Sequence, residues 1–239
     1  MIWNRNAGAG KRRVRGAIRV VPIAMLLLST LSVAETDVLI YRGEINAERN
    51  ASLFARAQAM APERLRITSG GGEVKAGIAL GRWVHEHGLT LIVEDYCLSS
   101  CANYVFPAAP RKRLLPGALV AWHGNYRHLL ETGLWREDAA ARMQKRGEDR
   151  ATALVRAREF TEQLVSLEQA FFERIGVDDR LCWFGKLPPH AVPDYYTLSV
   201  ADMARFGVTH VSAPPDYPDA EALGQVDNLR HIRPGRGMP

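Results

Sequence analysis

The sequence predicts an α/β protein built on a mostly parallel sheet. Short apolar runs rich in Val, Ile and Leu recur at 37–45, 64–68 and 89–93. Between them lie two stretches with helical apolar spacing, 47–60 and 74–87. Two of the connections are turns of small residues, Ser69-Gly70-Gly71-Gly72 and Cys97-Leu98-Ser99-Ser100-Cys101-Ala102. Alternation of this kind reads as βαβ units, whose helical crossovers make neighbouring strands parallel. Ligands of such sheets bind beyond the carboxyl ends of the strands.

In order, 37–45 (DVLIYRGEI) is a strand and 47–60 a helix with apolar residues at helical spacing. The strand 64–68 (RLRIT) runs into the glycine turn. The helix 74–87 carries Ala76, Ile78, Ala79, Leu80, Trp83 and Val84, and 89–93 is the third strand. Residues 99–108 start a buried, small-residue helix. Arg111, Lys112 and Arg113 read as an exposed turn, with short strands at 113–115 and 119–122. A long helical stretch rich in Ala, Arg, Glu and Leu runs from 135 to 175, with a break expected near Gly147. Pro188, Pro189 and Pro193 make 182–196 irregular. Ser199 is the candidate N-cap of a helix reaching Phe206. Gly207 ends that helix, and 208–211 is a final strand. Beyond Ser212 the chain is rich in Pro, Gly and Asp, so 213–239 is expected to be a loose tail.

Residues 1–34 read as an export signal outside the fold. Lys11, Arg12, Arg13, Arg15 and Arg19 precede an apolar run at 20–31, and Ser32-Val33-Ala34 forms a small-residue cleavage site. The run is shorter than the ~20 residues of a spanning helix. An uncleaved anchor, giving membrane association, is the alternative; the expected location is periplasmic. The whole chain is +5, but 1–34 holds six Lys/Arg and no Asp/Glu. The remainder has 25 basic and 26 acidic residues, a net charge of −1. The positive charge therefore belongs to the signal, and no nucleic-acid partner is expected. What remains suits one domain, 35–212. Three cysteines fit an oxidising compartment and leave one without an internal partner.

The domain carries three parts of an acyl-transfer site in order: glycines, serine, histidine. A serine nucleophile needs a base to take its proton, and a tetrahedral oxyanion needs N–H donors. The glycine turn lets backbone approach a ligand closely, although a plain strand–helix connection would look the same. Ser99 and Ser100 follow a strand and open a helix, where a hydroxyl is exposed or caps the helix. His123 ends the apolar strand 119–122, either as a general base or as a packed residue beside Trp122. Cys97 and Cys101 are a candidate disulfide, a buried thiol pair, or one of them a partner for Cys182. His85-Glu86-His87 has poor helical spacing for a metal, and no metal, ATP or other cofactor is expected.

The stretches "ITSGGGEVKAGIAL", "CLSSCANYVFPAAPRKRLLPGALVAWH" and "YTLSVADMARFGVTHV" resemble the Clp protease proteolytic subunit superfamily. That superfamily shares its fold with the crotonases. The resemblance spans residues 37–211. The cysteine-flanked serine is more similar to exported bacterial members than to the cytosolic protease. It implies a Clp-protease/crotonase-like βαβ spiral, with a helical arm after the histidine that serves oligomerisation. It further implies a serine peptidase or related acyl hydrolase acting on a peptide or protein, as a homo-oligomer. Ser99 matches the nucleophile, with Ser100 its rival, and His123 matches the base, 24 residues on. The Ser100 N–H and that of Gly72 or Gly71 match the oxyanion donors. Asp194 falls nearest the family's acid, displaced by one residue, with Asp178 and Asp179 as substitutes. That displacement and the cysteine pair motivate an alternative, a non-catalytic exported scaffold with a degenerate site. Acyl-CoA chemistry is a third option, which export disfavours.

Overall fold

The computed structural model describes residues 37–145, 147 and 149–235. The expected signal segment lies outside the described residues. Strands β1 (Val38–Arg42), β2 (Arg64–Ser69) and β3 (Thr90–Leu98) run parallel, joined through helices α1 (Ala47–Met60) and α2 (Val74–Glu86). Asn46 caps α1 by accepting from the Arg49 N–H, and Ala61 ends it in the left-handed region. Strand β3 is longer than the sequence suggests because it serves two neighbours. Its first half pairs with β4 (Arg111–Leu114), and Tyr96, Cys97 and Leu98 pair with β5 (Leu119–Ala121), both in parallel. Glu94 and Asp95, residues that strands disfavour, lie where the partner changes.

Leu39, Leu65, Ile67, Leu91 and Val93 of the strands are fully buried, in one core cluster with Leu80 and Val84 of α2. Each such side chain contributes about 1.5–3 kcal/mol. Arg42, Arg64 and Arg66 lie on the opposite pleat and pair with Glu94 and Asp37. Partly exposed pairs contribute ~0–1 kcal/mol, so the apolar face decides the register. Helix α2 passes very close to the segment after β3. A Cβ on Gly81 would sit 2.2 Å from the Tyr104 carbonyl oxygen.

After β3 the chain makes a π-helical turn, Cys101–Val105, and then α3 (Phe106–Ala108). Pro107 explains the wide turn. It has no N–H, so it cannot complete either the α or the π ladder. The Phe106 N–H donates to Cys101 O, and the orphaned Ala102 carbonyl accepts from the Trp122 indole N–H at 3.1 Å. The segment after β3 is thereby tied to the strand that precedes His123.

The long helical region forms α4 (Tyr126–Thr132), α5 (Trp135–Gln144) and α6 (Arg150–Ile175), breaking around Gly147 as expected. The inner side of α6 carries Ala153, Ala157, Thr161, Leu164, Glu168 and Phe171, a helical spacing. Glu168 is its one buried charge. It accepts from the Tyr104 hydroxyl and from the Tyr126 and Arg127 N–H groups. Burial raises its pKa to about 7.

Strand β6 (Tyr196–Thr197), helix α7 (Val200–Ala204) and strand β7 (Val211–Ser212) follow. Ser199 caps α7, and β7 completes the sheet order β1-β2-β3-β4-β7 beside β4. Two expectations are corrected. Arg111, Lys112 and Arg113 are not an exposed turn. They belong to β4, with Lys112 buried and its Nζ donating to Thr209 O. Residues after 212 are not a loose tail over the described part. Helix α8 (Ala220–Gly224) is capped by Asp219, and β8 (Arg230–His231) pairs with β6. The hydroxyl of Tyr217 accepts from the Val120 N–H. Tyrosine and a few capping side chains do here what apolar content does elsewhere. Among the described residues no helix is long and apolar enough to cross a membrane.

Glu168 sets a pH dependence. Its folded-state pKa lies above the ordinary value of 4.5. The stability it contributes is therefore fully present below about 4.5 and is lost as pH rises through about 7. Thermal unfolding of Glu168→Gln should lack this decline, so the variant's melting temperature gains on wild type between pH 5 and 8.

Candidate active site

Three neighbouring parallel strands end at one edge of the sheet and bring the site together. Ser69 of β2 pairs with Cys97 of β3, and Cys97 with Val120 of β5. Two residues beyond this row stand Gly71, Ser99 and Trp122, with His123 next. The sequence order of glycines, serine and histidine thus becomes one cluster.

Ser99 has φ 54°, in the left-handed region. Its N–H donates to Ala121 O, and its carbonyl accepts from the Asn103 N–H at 2.8 Å. This sharp turn between strand and helix lifts the hydroxyl out of the backbone network. Ser99 Oγ lies 2.7 Å from His123 Nε2. The Ser100 hydroxyl, by contrast, is buried and donates to Gly72 O at 2.7 Å. The geometry separates the two candidate nucleophiles: Ser99 faces the imidazole, and Ser100 braces the glycine turn.

Cys97 and Cys101 form a disulfide, and Cys182 is a buried free thiol. The bond closes a short loop around Leu98, Ser99 and Ser100. Both its cysteines are fully buried.

The candidate oxyanion donors divide as well. The Gly71 N–H donates to Ser69 Oγ at 3.1 Å, so it is not free to meet an oxyanion. Neither the Gly72 nor the Ser100 N–H has a protein acceptor among the described residues. Gly71 instead provides space. At φ +94°, a Cβ there would lie 2.7 Å from Ser99 Cβ and 2.8 Å from the Ser100 nitrogen.

His123 is held by its neighbours. Trp122 makes an antiparallel bridge with Tyr196, exchanging hydrogen bonds of 2.8 and 2.9 Å. The Gly124 N–H donates to Cys182 O, and the Tyr195 ring packs on the imidazole at 4.7 Å between centroids. Burial, followed by the charge of Lys186 and the neighbouring His128, holds the His123 pKa below its usual value. The ring is therefore neutral, and with its proton on Nδ1 it leaves Nε2 to accept from Ser99.

The structure does not bring an acid to His123. Asp194 is exposed, and its carboxylate makes no hydrogen bond to the imidazole; its backbone carbonyl accepts from Lys186 Nζ at 3.2 Å. Asp178 pairs with Arg180, and Asp179 lies 3.7 Å from Arg127. Sequence reasoning missed Lys186, Tyr195 and His128. The first two lie in the proline-rich segment that carries no periodic signal, and His128 lies on a short helix that was not anticipated. Among the described residues no group of three or more His, Cys, Asp or Glu is placed to hold a metal.

No protein-family model and no curated protein sequence matches this chain. Among solved structures, a mutant of ClpP1 from Listeria monocytogenes is similar. It shares 18% identity at a TM-score of 0.39, over 76% of this chain and 94% of that one.

Gly71→Ala and Gly70→Ala test the packing of the turn. A Cβ at Gly70 meets nothing within 4 Å. Gly71→Ala should cost about 1–3 kcal/mol of stability and abolish labelling of Ser99 by a serine-directed probe. Gly70→Ala should preserve both, as read by thermal unfolding and mass spectrometry.

Proposed function

We propose that this chain is an exported serine peptidase-like acyl hydrolase in which Ser99 attacks and His123 serves as base and then acid. The observation that carries this reading is the 2.7 Å contact between Ser99 Oγ and His123 Nε2, made by a serine in the left-handed region. In the first step the Ser99 proton passes to Nε2 as Oγ bonds to the acyl carbon. The Gly72 and Ser100 N–H groups accept the developing oxyanion as donors not otherwise engaged. The imidazolium then protonates the leaving group, and water repeats the sequence on the acyl-enzyme. No step calls on a cofactor.

Asp194, the acid that family resemblance suggests, takes no part in this scheme. Tyr195 packing and the Trp122–Tyr196 bridge orient His123 instead. The Cys97–Cys101 disulfide fits an oxidising compartment, and so supports the signal-peptide reading and a periplasmic location. Peptide or protein is the proposed substrate class, on a Clp-protease-like fold. The proposed homo-oligomer would form through the helical arm α4–α6, where Val155, Phe160 and Leu167 of α6 expose apolar surface. One observation favours a second reading, a non-catalytic scaffold: no carboxylate reaches His123 among the described residues.

A fluorophosphonate probe separates the two. The hydrolase reading expects an adduct on Ser99 that is lost in His123→Ala and kept in Ser100→Ala; folded wild-type protein without an adduct would leave the scaffold. Against an activated ester, Ser99→Ala should lower kcat by at least ~10³-fold.

The pH profile gives a further check. A depressed His123 pKa places the acid limb of kcat/KM below pH 6.5. Because the charge of Lys186 contributes to the depression, Lys186→Met should move that limb upward.

A further inference from the structure

The cavity at Ser99 and His123 has a volume of about 270 Å³, several times the ~30 Å³ share of one water. Asn103, Asn125 and His128 form part of its wall. All three are more than nine-tenths buried, and each has polar capacity that the protein does not use. Asn103 Nδ2 donates to Gly124 O at 2.9 Å, which fixes the amide and leaves Oδ1 as its spare end. Asn125 Oδ1 accepts from the His128 N–H at 3.0 Å, which leaves Nδ2 as its spare end. Neither Asn103 Oδ1 nor Asn125 Nδ2 has a hydrogen-bond partner. The His128 ring stacks on Trp183, and its nitrogens make no hydrogen bond to protein among the described residues. Burial, with the charge of Lys186, keeps that ring neutral, so it carries one donor and one acceptor.

Unpaired buried polar atoms are rare and costly. Here an acceptor and a donor stand in the wall beside the nucleophile. They are enclosed, so a group inserted into the cavity pairs with them where bulk solvent does not.

We infer that this wall is a specificity pocket for a carboxamide side chain, glutamine or asparagine, on the acyl side of the scissile bond. The inference rests on the hydrolase reading for its orientation. The carboxamide NH₂ donates to Asn103 Oδ1, and its oxygen accepts from Asn125 Nδ2. A carboxylate offers only acceptors and faces Asn103 Oδ1 unfavourably. Lysine offers only donors and meets Asn125 Nδ2 and a neutral imidazole. A leucine side chain leaves both spare atoms unpaired.

The test uses Ser99→Ala, so that binding is read without turnover. Calorimetry would measure acetyl-Ala-Ala-Xaa peptides with Xaa as Gln, Asn, Glu, Leu or Lys. The carboxamide peptide should bind ~10-fold or more tightly than the Leu, Glu and Lys peptides, as expected for one well-made buried hydrogen bond. Adding Asn125→Asp keeps the oxygen that caps α4 and turns the spare donor into an acceptor. That double variant should lose the carboxamide preference and gain affinity for the Lys peptide. Leu binding as well as Gln or Asn, or a carboxamide preference unchanged by Asn125→Asp, would overturn the pocket. Fluorophosphonate labelling of wild type is read in parallel. An adduct on Ser99 without carboxamide preference removes the pocket and keeps the hydrolase. Carboxamide preference without an adduct keeps the pocket and removes the hydrolase.

Discussion

Parallel pairing of β2, β3 and β5 sets one row of residues, Ser69, Cys97 and Val120, and the site is built from that row. A strand has a side-chain period of two, so a slip of one residue would turn each side chain to the opposite face. The buried Leu and Ile positions of β2 and β3 forbid that slip. The core thus aims the serine before any catalytic interaction exists. The Cys97–Cys101 bond acts on the same row, since Cys97 belongs to it and Cys101 begins the π-helical turn.

Adjacent serines acquire opposite roles through backbone alone. Ser99 is left-handed, and Ser100 is right-handed at φ −58°. A left-handed non-glycine residue costs roughly 1–2 kcal/mol. Two backbone hydrogen bonds, the disulfide and the close approach of Gly71 hold it there. Ser100 supplies the opposite restraint by tying its hydroxyl to Gly72. The same bond draws together the two residues whose N–H groups lack acceptors. The bracing serine therefore belongs to the site although its hydroxyl does no chemistry.

Elements carried by local periodicity were legible in the sequence. Helix α1 falls where apolar spacing put it, and α2 ends within a residue of expectation. Ser99 and His123 were legible because each follows an apolar strand directly. What failed to show were features set by distant partners. Strand β3 continues through Glu94 and Asp95 because β5 offers a second ladder. Lys112 is buried because β4 lies inside the sheet, between β3 and β7. The segment after 212 is ordered through Tyr217, Asp219 and Gln225, whose partners lie about a hundred residues away. The acid was misplaced for a related reason. A one-residue displacement is minor in sequence, yet it leaves Asp194 exposed and puts the Tyr195 ring on His123.

That exchange has chemical consequences. A carboxylate beside Nδ1 would stabilise the imidazolium formed as Ser99 gives up its proton. Here the nearest charge acting on His123 is the Lys186 ammonium, which disfavours it. Each pKa unit of such bias is worth about 1.4 kcal/mol between the protonation states. The ring is consequently ready as a base over a wider pH range but is a weaker one. The barrier must then be lowered elsewhere, and the structure offers two means. Gly72 and Ser100 direct unengaged N–H groups near the nucleophile, and the enclosed cavity strengthens every polar contact made inside it. A site so arranged depends more on how well its occupant fits than on the strength of its base. The polar wall of Asn103, Asn125 and His128 therefore matters as much to the chemistry as the serine and histidine it faces.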